Sequence, residues 1–135
     1  MTVSLTTIRQ GIADRAALVS GLMASITPGS VLPAAVVVPG SGVVVNYDTT
    51  LDGACDITLA VQLFVSKAVD GSAYEKLDAY LSPDGPDSVK VAIEGDMDLD
   101  GEVHYVSVVE ARNYGQTDYA GVECLACELV VTVAA

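Results

Sequence analysis

The amino-acid sequence predicts an α+β domain in which an N-terminal helix and one or two central helices flank an antiparallel or mixed β-sheet. Three patterns predict it: helical spacing of apolar residues at the N-terminus, alternation of apolar residues in a central strand, and a second alternating strand near the C-terminus. The chain has 135 residues, a length at which one domain buries a continuous core without metals or disulfides. One domain over residues 1–135 is therefore expected.

The first predicted element is a helix over residues 4 to about 23. Its apolar residues recur at intervals of three or four along the chain: Leu5, Ile8, Ile12, Ala16 and Val19. Ser4 is a suitable N-cap, and Gly21 together with Pro28 ends the helix.

Strands are predicted next. Valine-rich runs on either side of a Pro-Gly-Ser-Gly break at residues 39–42 indicate two short strands between Val31 and Tyr47. A longer strand follows from Cys55 to Lys67, in which alternate residues are apolar: Ile57, Leu59, Val61, Leu63 and Val65. This alternation is typical of an antiparallel strand with one buried face.

The second half of the chain adds two helices and two strands. A helix capped by Asp70 or Ser72 has one apolar face and ends at the breaker over residues 82–86. Its predicted inward residues are Ala73, Leu77, Tyr80 and Leu81. A short helical segment opens at Ser88. Strands over residues 103–112 and 122–133 follow, joined by a glycine-containing loop over 113–121 that is long enough for a protruding hairpin.

Composition narrows the classes of function. The chain is 51% hydrophobic, and its net charge is -12, from 18 acidic and 6 basic residues. Tight binding to a nucleic-acid backbone is not expected from such a charge. Prolines and glycines divide the charge-free stretch over residues 16–47 into pieces too short to span a membrane, and the N-terminus does not resemble a secretory signal. We therefore expect a protein that folds in a cytoplasm and covers part of its apolar surface with partners, above all with copies of itself.

An acidic segment is the strongest candidate for a metal site. Asp96, Asp98 and Asp100, followed by Gly101, match the first half of a calcium-binding loop. The twelfth position, where such loops carry a bidentate glutamate, is Ser107. The segment is therefore predicted to be a solvated acidic turn, and a small calcium-binding module is kept as the alternative from a different functional class.

The other reactive side chains do not form a recognisable site. Cys124 and Cys127 have a spacing found in zinc and redox motifs, but in an extended strand residues three apart point to opposite faces. The three cysteines are therefore predicted to be reduced, and the pair to pack in the core. His104 is the one histidine and has no nucleophile at motif spacing, so a surface or edge position is expected. We predict no catalytic, cofactor-binding or metal-binding residues and no enzymatic activity.

Five segments carry a resemblance to a known family: residues 4–9, which open the first helix; 32–37, before a Pro-Gly; 76–82, which end the second helix; 88–96; and 111–115, before the terminal strand. In that order and spacing, they resemble the tail terminator proteins of bacteriophages with long non-contractile tails, particularly phages of actinobacteria. The resemblance extends over nearly the whole chain, and none of its segments is a catalytic signature.

The resemblance implies a structural virion protein with a small α+β subunit. Such subunits form a homo-oligomeric ring, expected to be a hexamer, that caps the tail tube, ends its polymerisation and provides the head-joining surface. The implied partners are other copies of the chain, the major tail tube protein and a head completion or stopper protein, while DNA passes through the lumen without specific binding. The implied location is the neck end of the virion tail, after assembly in the host cytoplasm. Alternatives are another head-tail connector component, such as an adaptor or stopper, and a tube-forming tail protein.

Ring closure needs two different complementary patches on each subunit. The valine-rich segment from Val36 to Val45 is the predicted contact with a neighbour, through strand addition or flat packing. Charged substitutions at Val37 or Val44 distinguish an interface from a core position: a folded monomer indicates an interface, and global unfolding indicates the core.

Overall fold

The computed structural model describes residues 4–27, 32–40, 42, 44–47, 55–66, 72–96, 98–99, 101, 103–119 and 121–135. Three helices and six strands lie within these residues, and their bounds are α1 Leu5–Ala16, β1 Met23–Ser25, β2 Ala34–Pro39, β3 Val45–Tyr47, β4 Cys55–Ser66, α2 Ser72–Leu81, α3 Val89–Glu94, β5 Tyr105–Tyr119 and β6 Val122–Ala134. The predicted α+β class is confirmed, with a mixed sheet.

The strands form one sheet in the order β1-β2-β4-β6-β5. Strand β1 is parallel to β2, and every other pairing is antiparallel. On one side of β4, residues 59–64 pair with β2 and residues 55–57 pair with β3. Thr58 joins the two pairings, because its carbonyl accepts from the Gly40 amide (3.0 Å) and its amide donates to the Val44 carbonyl (2.8 Å).

Helix α1 begins where predicted and ends earlier. The Ser4 hydroxyl oxygen accepts a hydrogen bond from the Thr7 amide (3.2 Å), which confirms the predicted N-cap. The predicted extension to residue 23 is wrong, because the chain leaves the helix after Ala16 and turns through Gly21, whose φ is +81°. The Met23 amide then donates to the Pro33 carbonyl (3.0 Å), so the end of the predicted helix is strand β1.

One large core lies between the helices and one face of the sheet. The predicted inward faces of β4 and β6 are confirmed, since the alternate residues of both strands are buried there. The sheet residues concerned are Ile57, Leu59, Val61, Leu63, Val65, Leu125, Cys127, Leu129, Val131 and Val133. Buried residues of all three helices belong to the same cluster, so the described helices cover one face of the sheet.

The two later helices agree with their predictions. In α2, Ala73, Leu77 and Tyr80 are buried, and in α3 the Ser88 hydroxyl oxygen accepts from the Val91 amide (3.2 Å) as an N-cap. Asp70, one of the two residues proposed to cap α2, lies outside the described residues.

The final hairpin is longer than predicted. Residues 113–119, assigned to a loop from their polar and glycine content, continue strand β5 and pair with β6. Two register irregularities, between Val108 and Glu110 and between Arg112 and Gly115, absorb the extra residues. Asn113 adopts a φ of +58° inside the second of them, and Gly121 adopts +80° at the turn. Pairing with the regular strand β6 therefore overrides the local turn signals.

Among the helices that the structure describes, none combines the length and the apolar character that crossing a bilayer would require.

Candidate functional site

The acidic turn after α3 is closed by its own backbone. The Leu99 amide donates to the Asp96 carbonyl (3.1 Å), and the Gly101 amide donates to the Asp98 carbonyl (3.0 Å). Leu99 has a φ of +47° and a buried side chain, which lies so close to α1 that a β-carbon at Gly11 would come within 3.6 Å of it. The turn therefore packs the buried Leu99 side chain against the first helix.

Two of the three candidate calcium ligands are described. The Asp98 side chain is exposed and Asp96 is half-buried, while Asp100 lies outside the described residues. Within the described part of the chain, no three His, Cys, Asp or Glu side chains are grouped closely enough to hold a metal ion. Calcium binding by this segment stays a prediction of the alternative hypothesis.

The two cysteines of the C-terminal strand lie on opposite faces of the sheet, as predicted. Cys127 belongs to the helix-covered core, and Cys124 belongs to a second buried cluster on the other face. Burial raises the pKa of both thiols. None of the three cysteines, including the half-buried Cys55, forms a disulfide bond. The two sulfurs of Cys124 and Cys127 therefore cannot share one metal ion.

His104 occupies an exposed position immediately before β5. Its backbone amide donates to the Ala134 carbonyl (2.7 Å), which ties the start of β5 to the end of β6. The predicted edge position is confirmed.

The face of the sheet opposite the helices, called the open face below, carries a smaller apolar cluster. Its buried members are Ala34, Val36, Tyr119 and Cys124. Phe64 stacks on Tyr119 with ring centroids 4.2 Å apart and planes 19° from parallel. No residue of the three described helices belongs to this cluster. The open face is thus the side of the sheet on which the described strands are without a helical layer.

Carboxylates dominate the charge of the open face. The register places Asp56 on β4, Glu110 on β5 and Glu128 on β6 on this side of the sheet. Its one described cation is Arg112, whose guanidinium donates to the Glu128 carboxylate through Nη2 (3.0 Å) and Nε (3.3 Å). The pair leaves the face with excess negative charge.

Most of the described basic side chains form hydrogen bonds or ion pairs with other residues of the same chain. Arg9 donates to the carbonyls of Val37 (3.0 and 3.2 Å) and Ile26 (2.8 Å), and Arg15 donates to the Ala92 carbonyl (2.9 Å). The remaining contacts are those of Arg112 with Glu128 and of Lys90 with Glu94. Lys76 is exposed on α2, and Lys67 lies outside the described residues. Guanidinium groups held in this way are poorly placed to form a phosphate-binding patch.

Strand β5 is one edge of the sheet, and α3 protects part of it. The Glu94 carboxylate accepts a hydrogen bond from the Val108 amide through Oε2 (2.9 Å) and forms an ion pair with Lys90. Partial burial raises the pKa of Glu94, but the hydrogen bonds from Lys90, Val108 and Ser107 outweigh it, so the net pKa is lowered. Beyond Val108 the strand is largely exposed as far as Asp118. Among the described strands, none pairs with this side of β5, which is therefore an edge of the kind that accepts another strand.

The sequence did not predict the contact that Tyr114 of the hairpin makes with helix α2. The Tyr114 hydroxyl donates to the Asp78 carboxylate (2.7 Å), and its ring lies 6.3 Å from the ring of Tyr74. Burial, and then the bond to Asp78, raise the pKa of Tyr114 to about 12. A tyrosine in a loop next to glycine is a weak signal for such a contact, because its partner is 36 residues away in the chain.

The predicted contact segment from Val36 to Val45 differs from expectation. Strand β1, which the sequence predicts to be helical, pairs with residues 34–36 of β2 on the side away from β4, so this part of β2 is internal to the sheet. Val37 is fully buried in the main core, and Val36 is buried on the open face. Strand addition at residues 34–36 of β2 is therefore excluded, because β1 occupies that side. Among the described strands, β1, β3 and β5 each pair with a single strand. Contact with a neighbour through the rest of the segment, including Val45 on β3, stays a prediction.

No protein-family model matches the chain, and no curated protein matches it in sequence.

Proposed function

We propose that this chain is a structural ring subunit of the tail terminator type, from a bacteriophage with a long non-contractile tail. In this role the ring caps the tail tube, stops its polymerisation and presents a surface to head completion proteins. Support comes from the resemblance of five sequence segments and from the charge distribution of the subunit. The observation that carries the proposal is an open face whose single described cation is neutralised by an ion pair.

In this proposal the open face lines the channel through which DNA passes. A basic lining would hold phosphates through counterion release and slow the passage of DNA. Asp56 and Glu110 are exposed on this face, and Arg112 is bound to Glu128. The net charge of -12 acts in the same direction over the whole subunit. Such a surface lets a polyanion slide past without being captured.

The decisive experiment measures assembly. The purified chain is weighed by mass photometry, and negative-stain microscopy follows the chain alone and after mixing with isolated tail tubes. We expect closed rings whose mass is a fixed multiple of the 13.9 kDa chain, seated at tube ends. Open-ended polymerisation would instead indicate a tube protein. A ring that does not bind tail tubes but binds head-tail connectors would indicate an adaptor or stopper. A chain that stays monomeric under both conditions would contradict the proposal.

A charge-reversal experiment tests the channel. The double substitution Asp56→Lys with Glu110→Lys places two cations on the open face, and Glu75→Lys with Asp84→Lys makes the same charge change on α2 and the following loop. Rings of the first variant should retain double-stranded DNA in a salt-dependent manner, and rings of the control should not. Equal retention by both variants would show that the open face does not line the channel.

A further inference from the structure

A groove on the helix-covered face of the sheet runs between α2 and the exposed part of strand β5. One end of it is a cleft of about 180 Å³, lined mainly by apolar residues that include Leu81, Pro83, Val109 and Leu129. A cavity of about 150 Å³ holds a benzene ring, so the cleft has room for one apolar side chain. Val109 is 54% exposed, so this wall of the cleft lies at the surface.

The other end of the groove carries two stacked tyrosines and a carboxylate. Tyr74 and Asp78 lie one turn apart on α2, and hence on one side of the helix. Tyr114 of β5 contacts both: its hydroxyl donates to the Asp78 carboxylate, and its ring stacks on that of Tyr74. Tyr74 and Tyr114 are 47% and 42% exposed. Exposed tyrosines are frequent anchors of protein interfaces, because they offer a large contact area and lose little conformational entropy on binding.

The two ends belong to one continuous surface. On α2, Asp78 and Leu81 lie one turn apart on the same side of the helix. On β5, Ala111 lines the cleft, and Tyr114 follows after one further pair of residues. The part of α2 concerned rises by about 10 Å, which is the length of roughly three residues in an extended chain. The groove therefore has the dimensions of a short extended segment.

The surroundings of the groove are acidic. Residues 72–88, which include α2 and the loop after it, contain four carboxylates and one lysine. Lys90 lines the cleft and forms an ion pair with Glu94, so a further cation is disfavoured at that end. At the other end the Asp78 carboxylate attracts a cation, and the exposed sides of the tyrosine rings can stack on it. A guanidinium group suits both interactions, because it is planar and donates several hydrogen bonds.

A second copy of the chain is poorly equipped to supply that guanidinium. The sequence has three arginines. Arg9 and Arg15 donate to backbone carbonyls, and Arg112 is paired with Glu128. Each would have to break contacts within its own subunit before it could bind in the groove of another. Charge complementarity therefore favours a different protein as the occupant.

We propose that the groove between α2 and β5 binds an extended segment of another protein, with an apolar side chain in the cleft and an arginine against Tyr74, Tyr114 and Asp78. The proposal does not depend on the ring function, because the groove and the open face lie on opposite sides of the sheet. In a ring whose open face lines the channel, the groove faces away from the DNA and is accessible to a protein partner.

Selection from a library of random seven-residue peptides tests the proposal. The labelled wild-type chain is the bait, and the selected peptides are synthesised and measured by fluorescence anisotropy at several salt concentrations. We expect them to share an arginine within about three residues of a bulky apolar residue, and their affinity to fall as salt is raised. Selected peptides without a basic residue, or no selected peptide at all, would overturn the proposal.

Matched substitutions locate the binding site. Tyr74→Ala and Asp78→Asn should each weaken peptide binding by about tenfold, and Val109→Lys should do the same by blocking the cleft. Tyr105→Ala and Asp56→Asn are the controls, because Tyr105 is 49% exposed and both residues lie on the open face. The two controls should bind as the wild type does, and circular dichroism checks that all five variants are folded. Equal affinities of the wild type, the groove variants and the controls would overturn the proposal.

Mass photometry of the same variants separates this contact from ring assembly. We expect Tyr74→Ala and Val109→Lys to assemble as the wild type does. Loss of assembly in these two variants, with normal assembly of the controls, would show that the groove is a contact between copies; it would overturn the present proposal and leave the ring function intact. A wild-type chain that stays monomeric but binds the selected peptides would overturn the ring function and support the groove as a binding site.

Discussion

Substituting aspartate at Val37 and Val38 compares the two faces of one strand. The side chain of Val37 is fully buried between α1 and the sheet, where it pairs with Val61 of β4. Val38 is half-buried on the open face and packs at the edge of the smaller cluster. The two residues share a backbone environment and differ in what covers them.

Val37→Asp loses about 1.5–3 kcal/mol of apolar burial. It also places a carboxylate among apolar side chains, which adds several kcal/mol whether the group stays charged or is protonated. A total of about 4–6 kcal/mol approaches the whole stability of a domain of this size, roughly 5–15 kcal/mol. Val38→Asp keeps its carboxylate near water and should cost about 1–2 kcal/mol.

Urea denaturation followed by far-ultraviolet circular dichroism measures both variants at a protein concentration where each is monomeric. We expect Val37→Asp to be unfolded, or nearly so, without denaturant, and Val38→Asp to unfold cooperatively at a midpoint modestly below that of the wild type. Similar midpoints for the two variants would refute the assignment of Val37 to the core and restore the interpretation of this segment as a contact surface.

Three further predictions concern the contacts of Arg9, the contacts of Glu94 and the burial of two cysteines. Arg9→Met removes the bonds to the carbonyls of Val37 and Ile26 and should lower the free energy of unfolding by about 2–4 kcal/mol in urea titration; an unchanged midpoint would contradict this. Glu94→Gln should cost about 1 kcal/mol at pH 7. Because the folded pKa of Glu94 is lowered, its contribution is present above the unfolded pKa and is lost as the pH falls through the folded value, so wild type and variant should converge in acid; a pH-independent difference would argue against the contact. Cys124 and Cys127 should react with iodoacetamide at pH 8 far more slowly in the folded chain than in urea, by mass spectrometry, because burial raises both thiol pKa values; equal rates would exclude the buried positions.

Local signals in the sequence determined most elements and their inward faces. Alternation in β4 and β6 identified the residues that the helices cover, and Ser4 and Ser88 marked helix starts, because period and capping depend on neighbours within a few residues. The opposite faces of Cys124 and Cys127 followed from the same period. These features need no knowledge of distant parts of the chain.

Pairing partners were decided by the tertiary structure. Strand β1 continues a helical pattern in the sequence and becomes a strand because β2 offers it an edge; that pairing in turn covers residues 34–36 of β2. The polar residues 113–119 extend β5 because β6 lies beside them, and the Tyr80 hydroxyl is unpaired because of what packs around it. Free edges and unsatisfied groups depend on which segments meet across long sequence separations. Periodicity within one segment carries no information about which distant segment pairs with it. The sequence alone therefore determined which side chains of a strand face the core, and the tertiary structure decided which strands lie at the edges of the sheet.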